Sequence, residues 1–340
     1  LPDYLPELEA TVSEPEKMQK GWTLLNLNNA FDGVPLILAM LDAKGRYRWY
    51  HRRDTNGSGA ATSVALVDGG MLVGGTHDTG RVWPARINWR GELEWQAELN
   101  MHHDMRPWSG DSVLYLAYAD DCPDGIPGSA AVVEYDQSEG KEVWRWELCD
   151  HYQPDNARRD WDHTNAIEPF PDGEHLLLSE RNLSTLLKVD IQTGEVEWTL
   201  GQEGEFTRSN GSSDPAFIWQ HAPEIQPNGN ILLFDNGRKN RREYSRAVEL
   251  SYDPQKMTYQ TAWVYRPDPD IFAPIWSDAD RLENGNTLVA FGRRDKNQGS
   301  VIQEVTEQKE VVWEIESPKK WGWYRAERVV DLPLMRTDGR

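Results

Sequence analysis

Alternating hydrophobic and polar positions mark a run of short strands between residues 160 and 201. Residues 164–167 and 175–178 alternate on either side of a Pro-Asp-Gly turn, and residues 186–191 and 196–200 alternate on either side of a second turn that contains glycine. A period of two is typical of strands with one buried face, and turns of this composition connect antiparallel neighbours. The stretch therefore predicts four short antiparallel strands.

The same arrangement recurs along the chain. Its second half, an alternating strand, a turn and a strand with one Trp, ends at Trp49, Trp95, Trp144, Trp198, Trp263 and Trp313. Its first half occurs at residues 65–75, 105–118, 166–179, 224–235 and 280–291. A sixth first half would combine RAERVVDLP near the C-terminus with TLLNL at residues 23–27. Such repeats predict an all-β fold, a six-bladed β-propeller with four antiparallel strands per blade.

The sixth copy also predicts how the propeller closes. Strands from both termini would complete it and remove an exposed sheet edge. We expect residues 23–27 to pair in the blade that also holds residues 301–315. Six blades use almost all of the 340 residues, so we expect one propeller domain at residues 21–335 after an N-terminal extension at residues 1–20. The 16 Trp side chains are expected to pack between the sheets.

The charge of the chain narrows the range of partners. With 36 Lys and Arg against 56 Asp and Glu, the net charge is −20. Such a surface repels phosphate backbones and anionic lipids, so no nucleic acid or membrane-surface partner is expected. No apolar run is long enough to span a bilayer, and no signal peptide stands at Leu1. An exported chain that had already been processed would look the same.

Two cysteines, Cys122 and Cys149, fall in loops of the third predicted blade that open on the same face. They could be bridged, which would favour an oxidising compartment, or they could be two separate thiols. Spacing alone does not decide between the two. We expect a periplasmic or secreted protein.

Histidine and arginine recur on that same predicted face. The links from a fourth strand to the next first strand carry the pair His102 and His103, then His163 and then His221. Loops between second and third strands add Arg181 and, in the last blade, Arg293 and Arg294. Because innermost strands line the channel of a propeller, we expect three successive blades to direct histidines to one channel mouth, with Arg181 beside them.

Several imidazoles with a guanidinium suit an oxyanion, because one histidine can act as nucleophile or base while the others donate to developing charge. Two metal alternatives stay open. Histidines from separate blades could bind zinc. Calcium could be bound by Asp104, Asn165, Asp235 and Asp280. No HxxxH or HxH spacing favours a metal, and we expect neither a metal nor a cofactor.

Several segments together resemble the bacterial arylsulfate sulfotransferase family. They are DWDHTNAI, LLLSERNLSTLLKVDIQTGEVEWTLG, WQHAPEIQPNGNILLFDNG, SRAVEL and WYRAERV. The resemblance covers roughly residues 100–330 and extends more weakly over the first two blades. It implies a six-bladed propeller that transfers a sulfuryl group from a phenolic sulfate to another phenol. It further implies a covalent sulfohistidine, ping-pong order and no nucleotide sulfate donor.

The resemblance also implies roles for individual residues. The histidine of the QH segment, His221, would be the nucleophile, His163 would donate to the sulfuryl oxygens, and Arg181 would clamp their charge. The remaining family histidine matches either His102 or His103. Counting back from Gly110 favours His102, whereas strand parity relative to Met105 favours His103. Further substrate contacts are expected from Asn165, Arg293, Arg294, Trp219, Trp276 and Arg325.

Two other classes of function remain open. A lyase or hydrolase acting on acidic or sulfated polysaccharides could use His and Tyr for proton transfer and Arg181 to neutralise a carboxylate. A non-catalytic propeller could bind anions or glycans. The expected partners are therefore a small aryl sulfate donor and a phenolic acceptor, or an acidic glycan. The oligomeric state is left open.

Overall fold

The computed structural model describes residues 1–29, 36–53, 63–77, 80–119, 122, 129–152, 160–202 and 204–330. Regular structure in this part of the chain is almost entirely β-strand. Internal contacts divide the chain into two compact units, the first formed by residues 1–98 with 271–340 and the second by residues 99–270. The described segments include no helix with the length and hydropathy that crossing a bilayer requires.

The strands are numbered in chain order, and one short helix, α1 (Leu148–His151), follows β12. The strands are β1 (Ala10–Ser13), β2 (Trp22–Asn29), β3 (Leu36–Leu41), β4 (Tyr47–Arg53), β5 (Ser63–Val67), β6 (Gly70–His77), β7 (Gly80–Asn88), β8 (Leu93–Gln96), β9 (Met101–Pro107), β10 (Ser112–Tyr118), β11 (Ala130–Asp136), β12 (Lys141–Glu147), β13 (Thr164–Pro169), β14 (His175–Glu180), β15 (Thr185–Asp190), β16 (Val196–Gly201), β17 (Thr207–Arg208), β18 (His221–Ile225), β19 (Ile231–Asp235), β20 (Arg246–Asp253), β21 (Thr258–Tyr265), β22 (Asp278–Arg281), β23 (Thr287–Phe291), β24 (Val301–Val305), β25 (Val311–Glu316) and β26 (Trp321–Val329).

Each unit contains three sheets. In the first unit the strand orders are β26-β2-β3-β4, β5-β6-β7-β8 and β1-β25-β24-β23-β22. In the second unit they are β9-β10-β11-β12, β13-β14-β15-β16 and β18-β19-β20-β21-β17. Every sheet is built on four antiparallel strands, and β1 and β17 add a fifth to two of them. The chain is thus an all-β, six-bladed β-propeller, and the predicted fold class is confirmed.

Strands from both ends of the chain complete one blade, as predicted, because β26 pairs with β2 and β2 pairs with β3. The expectation that residues 23–27 pair in the blade of residues 301–315 is wrong. The edge of β25 in that blade is already taken by β1, and Leu25 and Leu27 of β2 pack in one apolar cluster with Ile37 of β3. The predicted bounds of one domain at 21–335 stay a prediction, and residues 331–335 lie outside the described part.

The tryptophans of the repeat are less uniformly buried than expected. Trp198 and Trp313 lie in the core, whereas the other four are half-buried. Of these four, Trp49, Trp95 and Trp144 sit on the outermost strands of their sheets, where only part of a large ring is covered. The indole N–H of Trp313 donates to the carbonyl of Ala43 at 2.9 Å, which satisfies the one polar atom of a fully buried ring.

The two cysteines form a disulfide in the second unit. Cys149 lies in α1, directly after the fourth strand of its blade, and its sulfur is bonded to that of Cys122, with Cα atoms 5.6 Å apart. This distance is ordinary for a disulfide. The spacing left two alternatives, a disulfide and two separate thiols, and the structure contains the disulfide.

Candidate active site

Three strands of the second unit, β9, β13 and β18, begin at the predicted histidines. His103 and His163 have left-handed backbone conformations, with φ of 51° and 49°, and Ala222 beside His221 has φ of 45°. In each strand the register with the next strand shifts near this point. Such irregularities turn side chains out of the regular alternation and are frequent next to active sites. β13 contacts both β9 and β18, so the three strands are neighbours.

His221 is only 3% exposed, and its Nδ1 lies 2.7 Å from Oδ1 of Asn236. Because an amide oxygen can only accept a hydrogen bond, Nδ1 carries the hydrogen of the neutral ring and Nε2 has the lone pair. Burial, and next the positive charge of Arg181, hold the pKa of His221 well below its usual range. His221 is therefore a neutral imidazole at neutral pH.

The chain just before His221 is held by its neighbours in the β13–β16 sheet. The side-chain amide of Gln220 donates to Oγ of Ser179 at 3.1 Å and to the carbonyl of Thr185 at 3.0 Å. The amide of Asn165 donates to the carbonyl of Gln220 at 2.8 Å. All of these groups are buried, where hydrogen bonds resist displacement by water. Asn165, predicted as a substrate contact, thus lies where it positions the backbone next to His221.

Arg181 is 8% exposed and lies over the indole of Trp219, with 4.0 Å between its guanidinium carbon and the ring centroid. Its Nη1 donates to Oδ1 of Asn182 at 2.9 Å. The guanidinium carbon of Arg238 is 4.6 Å from the same centroid. Two arginines therefore share one indole, whose electron-rich face attracts both cations. Trp219, also predicted as a substrate contact, is the platform that orients Arg181.

His102 and His103, which could not be distinguished from the sequence, have different places. His102 is buried, and its Nε2 donates to the carbonyl of Ala117 at 3.0 Å. Its Nδ1 can then accept from Nδ1 of His103, 2.9 Å away, which leaves the lone pair of His103 on Nε2. The His103 ring contacts that of His163, with centroids 4.8 Å apart. His103 is thus the member next to His163, and His102 sets its orientation and tautomer.

Burial depresses the basicity of both rings. The pKa of His102 is lowered to about 4, mainly by burial. Burial, and after it the charges of His163 and His102, hold the pKa of His103 well below its usual range. Both are neutral at neutral pH, so Nε2 of His103 can accept a proton.

His163 is more open than the other histidines of the site, with 26% of its side chain exposed. Its Nδ1 lies 2.7 Å from Oδ2 of Asp160. This carboxylate holds the orientation of the His163 ring through Nδ1.

A buried carboxyl group lies one residue before Arg181. Glu180 has no exposed surface and accepts a hydrogen bond from the hydroxyl of Thr164. Burial, and then the nearby charge of Asp162, raise the pKa of Glu180 well above its usual range. The folded protein therefore favours the protonated form of Glu180 more than an unfolded chain does.

The remaining predicted substrate contacts belong to the first unit. Arg293 lies over the ring of Trp276 at 5.7 Å, and Trp276 contacts Tyr324 with centroids 6.4 Å apart. Arg325 is 2% exposed and lies 5.9 Å from the Tyr324 ring. Arg294 forms an ion pair with Glu316 and donates to the carbonyl of Gln298 at 2.7 Å, so its charge is used within its own loop. A role of these residues in substrate binding stays a prediction.

The groups of convergent metal-ligand atoms among the described residues differ from the zinc alternative considered above. Among the described residues, ligand atoms converge in two groups, His175 with Asp190 and Glu197, and Asp278 with Asp280 and Glu327. Neither group includes a histidine of the three strand starts, as zinc would require.

Two of the residues considered for calcium already have partners within the protein. Oδ2 of Asp104 accepts a hydrogen bond from the backbone N–H of Ile167 at 3.1 Å and lies 3.4 Å from Nε of Arg106. Asp235 is paired with Arg242 and Arg246. Carboxylates already neutralised by arginine are poor ligands for a cation.

Sequence reasoning missed three residues of this group: Asn236, Asp160 and Arg238. A signal for Asn236 was present, because LLLSERN and ILLFDNG are the same repeat position, and Asn236 stands where the other blade has Arg181. Asp160 stands three residues before His163, within the segment that was compared. Nothing in the spacing indicated that Arg238 would lie on Trp219.

Comparisons with known proteins identify the family and the fold of this chain. The sequence model of the family described as Arylsulfotransferase (ASST) matches residues 9–325. No curated protein is significantly similar in sequence. Among solved structures, the periplasmic gluconolactonase of Pseudomonas aeruginosa aligns over 92% of this chain and 99% of its own, with 12% identity and a TM-score of 0.53. The β-propeller domain of Cps50 (Swd1) from Myceliophteria thermophila aligns over 92% and 90%, with 14% identity and a TM-score of 0.51. These two likenesses show the fold alone.

Proposed function

Since this chain belongs to the arylsulfotransferase (ASST) family, we propose that it moves a sulfuryl group from an aryl sulfate to a phenol through a sulfohistidine at His221. The observation that carries the proposal is the state of His221: a buried, neutral imidazole whose Nδ1 is bound to Asn236. A histidine held in this way presents one nucleophilic nitrogen in one orientation.

In the first half of the reaction, Nε2 of His221 attacks sulfur, an N–S bond forms, and the S–O bond to the aryl group breaks. The aryl oxygen keeps the bonding electrons and leaves as a phenolate. Arg181 stabilises the negative charge on the sulfuryl oxygens and His163 donates a hydrogen bond to them, by analogy with phosphoryl transfer, where positioning and charge stabilisation do most of the work.

In the second half, the acceptor phenol gives its proton to Nε2 of His103 while its oxygen attacks sulfur. The N–S bond breaks, and its electron pair returns to His221. The proton then passes from His103 to the departed phenolate or to water, which restores the neutral ring. The contact of His102 with His103 supports this role, because it places the His103 lone pair on Nε2.

The disulfide supports a further proposal, that the protein works in an oxidising compartment such as the periplasm or outside the cell. Disulfides persist in such compartments and are rare where thiols are kept reduced.

The test is intact-mass measurement after brief exposure to 4-nitrophenyl sulfate. We expect a mass increase of one sulfuryl group in the parent protein and none in His221→Asn, with both proteins folded by circular dichroism. His151→Asn, at an exposed histidine, is the matched control and should form the adduct. An adduct of full yield on His221→Asn would refute the nucleophile. Absence of adduct and turnover, together with cleavage of uronic polysaccharides, would replace the transferase with a lyase.

A further inference from the structure

The connection from β19 to β20 carries a charge opposite to that of the protein as a whole. In residues 236–246, NGRKNRREYSR, five of eleven residues are Arg or Lys and one is Glu, whereas the chain has a net charge of −20. We call this segment the basic connection. A local positive field on an acidic protein attracts anions to that place and to few others.

The basic connection is a tight, ordered turn. The backbones of Arg238 and Arg242 bond to each other, N–H to carbonyl, at 3.0 and 2.9 Å. Gly237 has φ of 75°, and a Cβ there would stand 2.5 Å from the carbonyl oxygen of Arg242, so only glycine fits. The turn therefore holds its side chains in place before any ligand binds, which lowers the entropic cost of binding.

Two of its five cations have a structural use. Arg242 and Arg246 both pair with the carboxylate of Asp235, which is fully buried and also accepts from the N–H of Ile218 at 2.8 Å. A buried carboxylate needs such partners. The positive charges of Arg242 and Arg246 are therefore used to balance a carboxylate inside the protein.

Arg238 and Arg241 differ from this pair. Both are exposed, and neither forms an ion pair with a carboxylate of the described residues. Arg241 donates to the side-chain oxygen of Gln202 at 3.1 Å. Arg238 lies 4.6 Å from the Trp219 centroid, and Arg181 lies 4.0 Å from it, so the separation of the two guanidinium groups cannot exceed the sum of these distances. Both guanidinium groups thus lie beside one indole, and Arg238 is the exposed one of the two.

We propose that Arg238, supported by Arg241, binds a second anionic group of the substrate, so that the enzyme favours aryl sulfates and phenols that carry a further carboxylate or sulfate. This inference rests on the proposed function, in which Arg181 holds the sulfuryl group. The second cation on the same indole then selects molecules whose two anionic groups are one aromatic ring apart. Guanidinium groups suit both anions because their donors match carboxylate and sulfate oxygens in pairs.

The experiment compares two donors, 4-nitrophenyl sulfate and the same compound with a carboxylate on the ring. We expect Arg238→Gln to lower kcat/KM for the carboxylate-bearing donor about tenfold more than for the simple donor, the scale of one charge-assisted hydrogen bond. Arg238→Lys should restore part of this difference. Arg90→Gln changes the net charge equally at an exposed site of the first unit and should leave the ratio of the two donors as in the parent.

Equal losses for both donors in Arg238→Gln would overturn the proposal, because Arg238 would then act only through Trp219. If the parent released nitrophenol from neither donor, the proposed function would fail, and binding would decide the subsite separately. Calorimetry with the carboxylate-bearing nitrophenol would then be the readout. Weaker binding by Arg238→Gln than by the parent would support the subsite, and equal affinity would refute it.

Discussion

One hairpin is built twice in this protein, and the two versions differ in the residues that do chemistry. In the second unit, β18 and β19 come from IWQHAPEIQPNGNILLFDNG, and in the first unit, β22 and β23 come from IWSDADRLENGNTLVAFGRR. Both place a Trp in the left-handed region before the first strand, with φ of 56° at Trp219 and 62° at Trp276. Each indole also lies near an arginine from the loop after the second strand, Arg238 or Arg293. The shared parts belong to the scaffold.

The differences lie at three places. His221 faces Phe234 in the pairing of its hairpin, and Asp278 holds the equivalent place opposite Ala290. The pairing of β18 shifts register after His221, whereas that of β22 is regular throughout. Asn236, which binds His221, corresponds to Gly292, which has no side chain to offer. The hairpin that carries the candidate nucleophile thus differs from an ordinary hairpin by a bulge, one imidazole and one amide. A repeated fold can acquire a site at one of its copies through changes of this kind.

Substitution of each of the two equivalent residues, His221 and Asp278, by Asn tests this difference most strongly. We expect His221→Asn to lower turnover of an aryl sulfate by about 10⁴-fold or more, because the covalent intermediate cannot form. Asp278→Asn, of similar size and burial, should stay within about tenfold of the parent, the range expected for indirect effects. Steady-state release of nitrophenol measures both. A comparable loss in the two variants would mean that the first-unit hairpin also takes part in the chemistry.

The next largest effect is expected from substitutions of Asn236, which binds His221. Asn236→Ala should lower the rate of adduct formation about 10- to 100-fold, the usual cost of losing a hydrogen bond that orients a reactive histidine. Asn236→Asp should act through pH instead. A carboxylate at Nδ1 favours the imidazolium, so the pKa of His221 rises and the acid limb of the rate moves to higher pH. The parent, whose His221 pKa is held well below its usual range, should keep its rate as pH falls through 6.5. Identical acid limbs would contradict this coupling.

The repeat pattern was enough to predict the six blades, the strand count and the completion of one blade by strands from both chain ends. It placed His163 and His221 in the links that lead into first strands, because those positions follow from the period alone. The choice between His102 and His103 could not be made, for a physical reason. The register of β9 against β10 shifts between Tyr115 and Leu116, so parity counted from Met105 and position counted from Gly110 disagree across the bulge.

Two kinds of feature lay beyond the sequence. The hydrogen bond of His221 with Asn236 joins residues of different segments, and the repeat marks the position of Asn236 without showing which residue it binds. Edge pairing was also misjudged: the segment at Ala10–Ser13 occupies the edge beside β25, which was expected to be open to residues 23–27. A short strand outside the repeat carries no periodic signal.

A third test replaces each of the two tryptophans, Trp219 and Trp276, with Leu. Trp219→Leu removes the platform shared by Arg181 and Arg238, and we expect kcat/KM for an aryl sulfate to fall about tenfold, in line with the loss of one or two cation–π contacts. Trp276→Leu should have a smaller effect on kcat/KM. Thermal unfolding of both variants separates packing from binding. An equal fall in both would support the prediction that Trp276 also contacts substrate.

The smallest effect concerns the pH dependence of stability, because the strand starts of the second unit hold neutral imidazoles in the interior. The folded-state pKa of His102 is about 4, below the value of about 6.5 in an unfolded chain. As pH falls from 7 to 5, the unfolded state binds a proton that the folded state does not, so His102 lowers the free energy of unfolding by about 2 kcal/mol. His102→Gln should lose that part of the acid sensitivity in urea titrations at the two pH values.

Glu180 should act with the opposite sign. Its pKa in the folded protein lies well above the usual value of 4.5, so on acidification the folded state binds a proton before the unfolded state does. The parent therefore gains stability from Glu180 as pH falls toward the unfolded pKa, and Glu180→Gln, which keeps the neutral shape, loses this gain. The two variants should change the difference in unfolding free energy between pH 7 and pH 5 in opposite directions. A change of the same sign in both would contradict the opposite directions of the two pKa shifts.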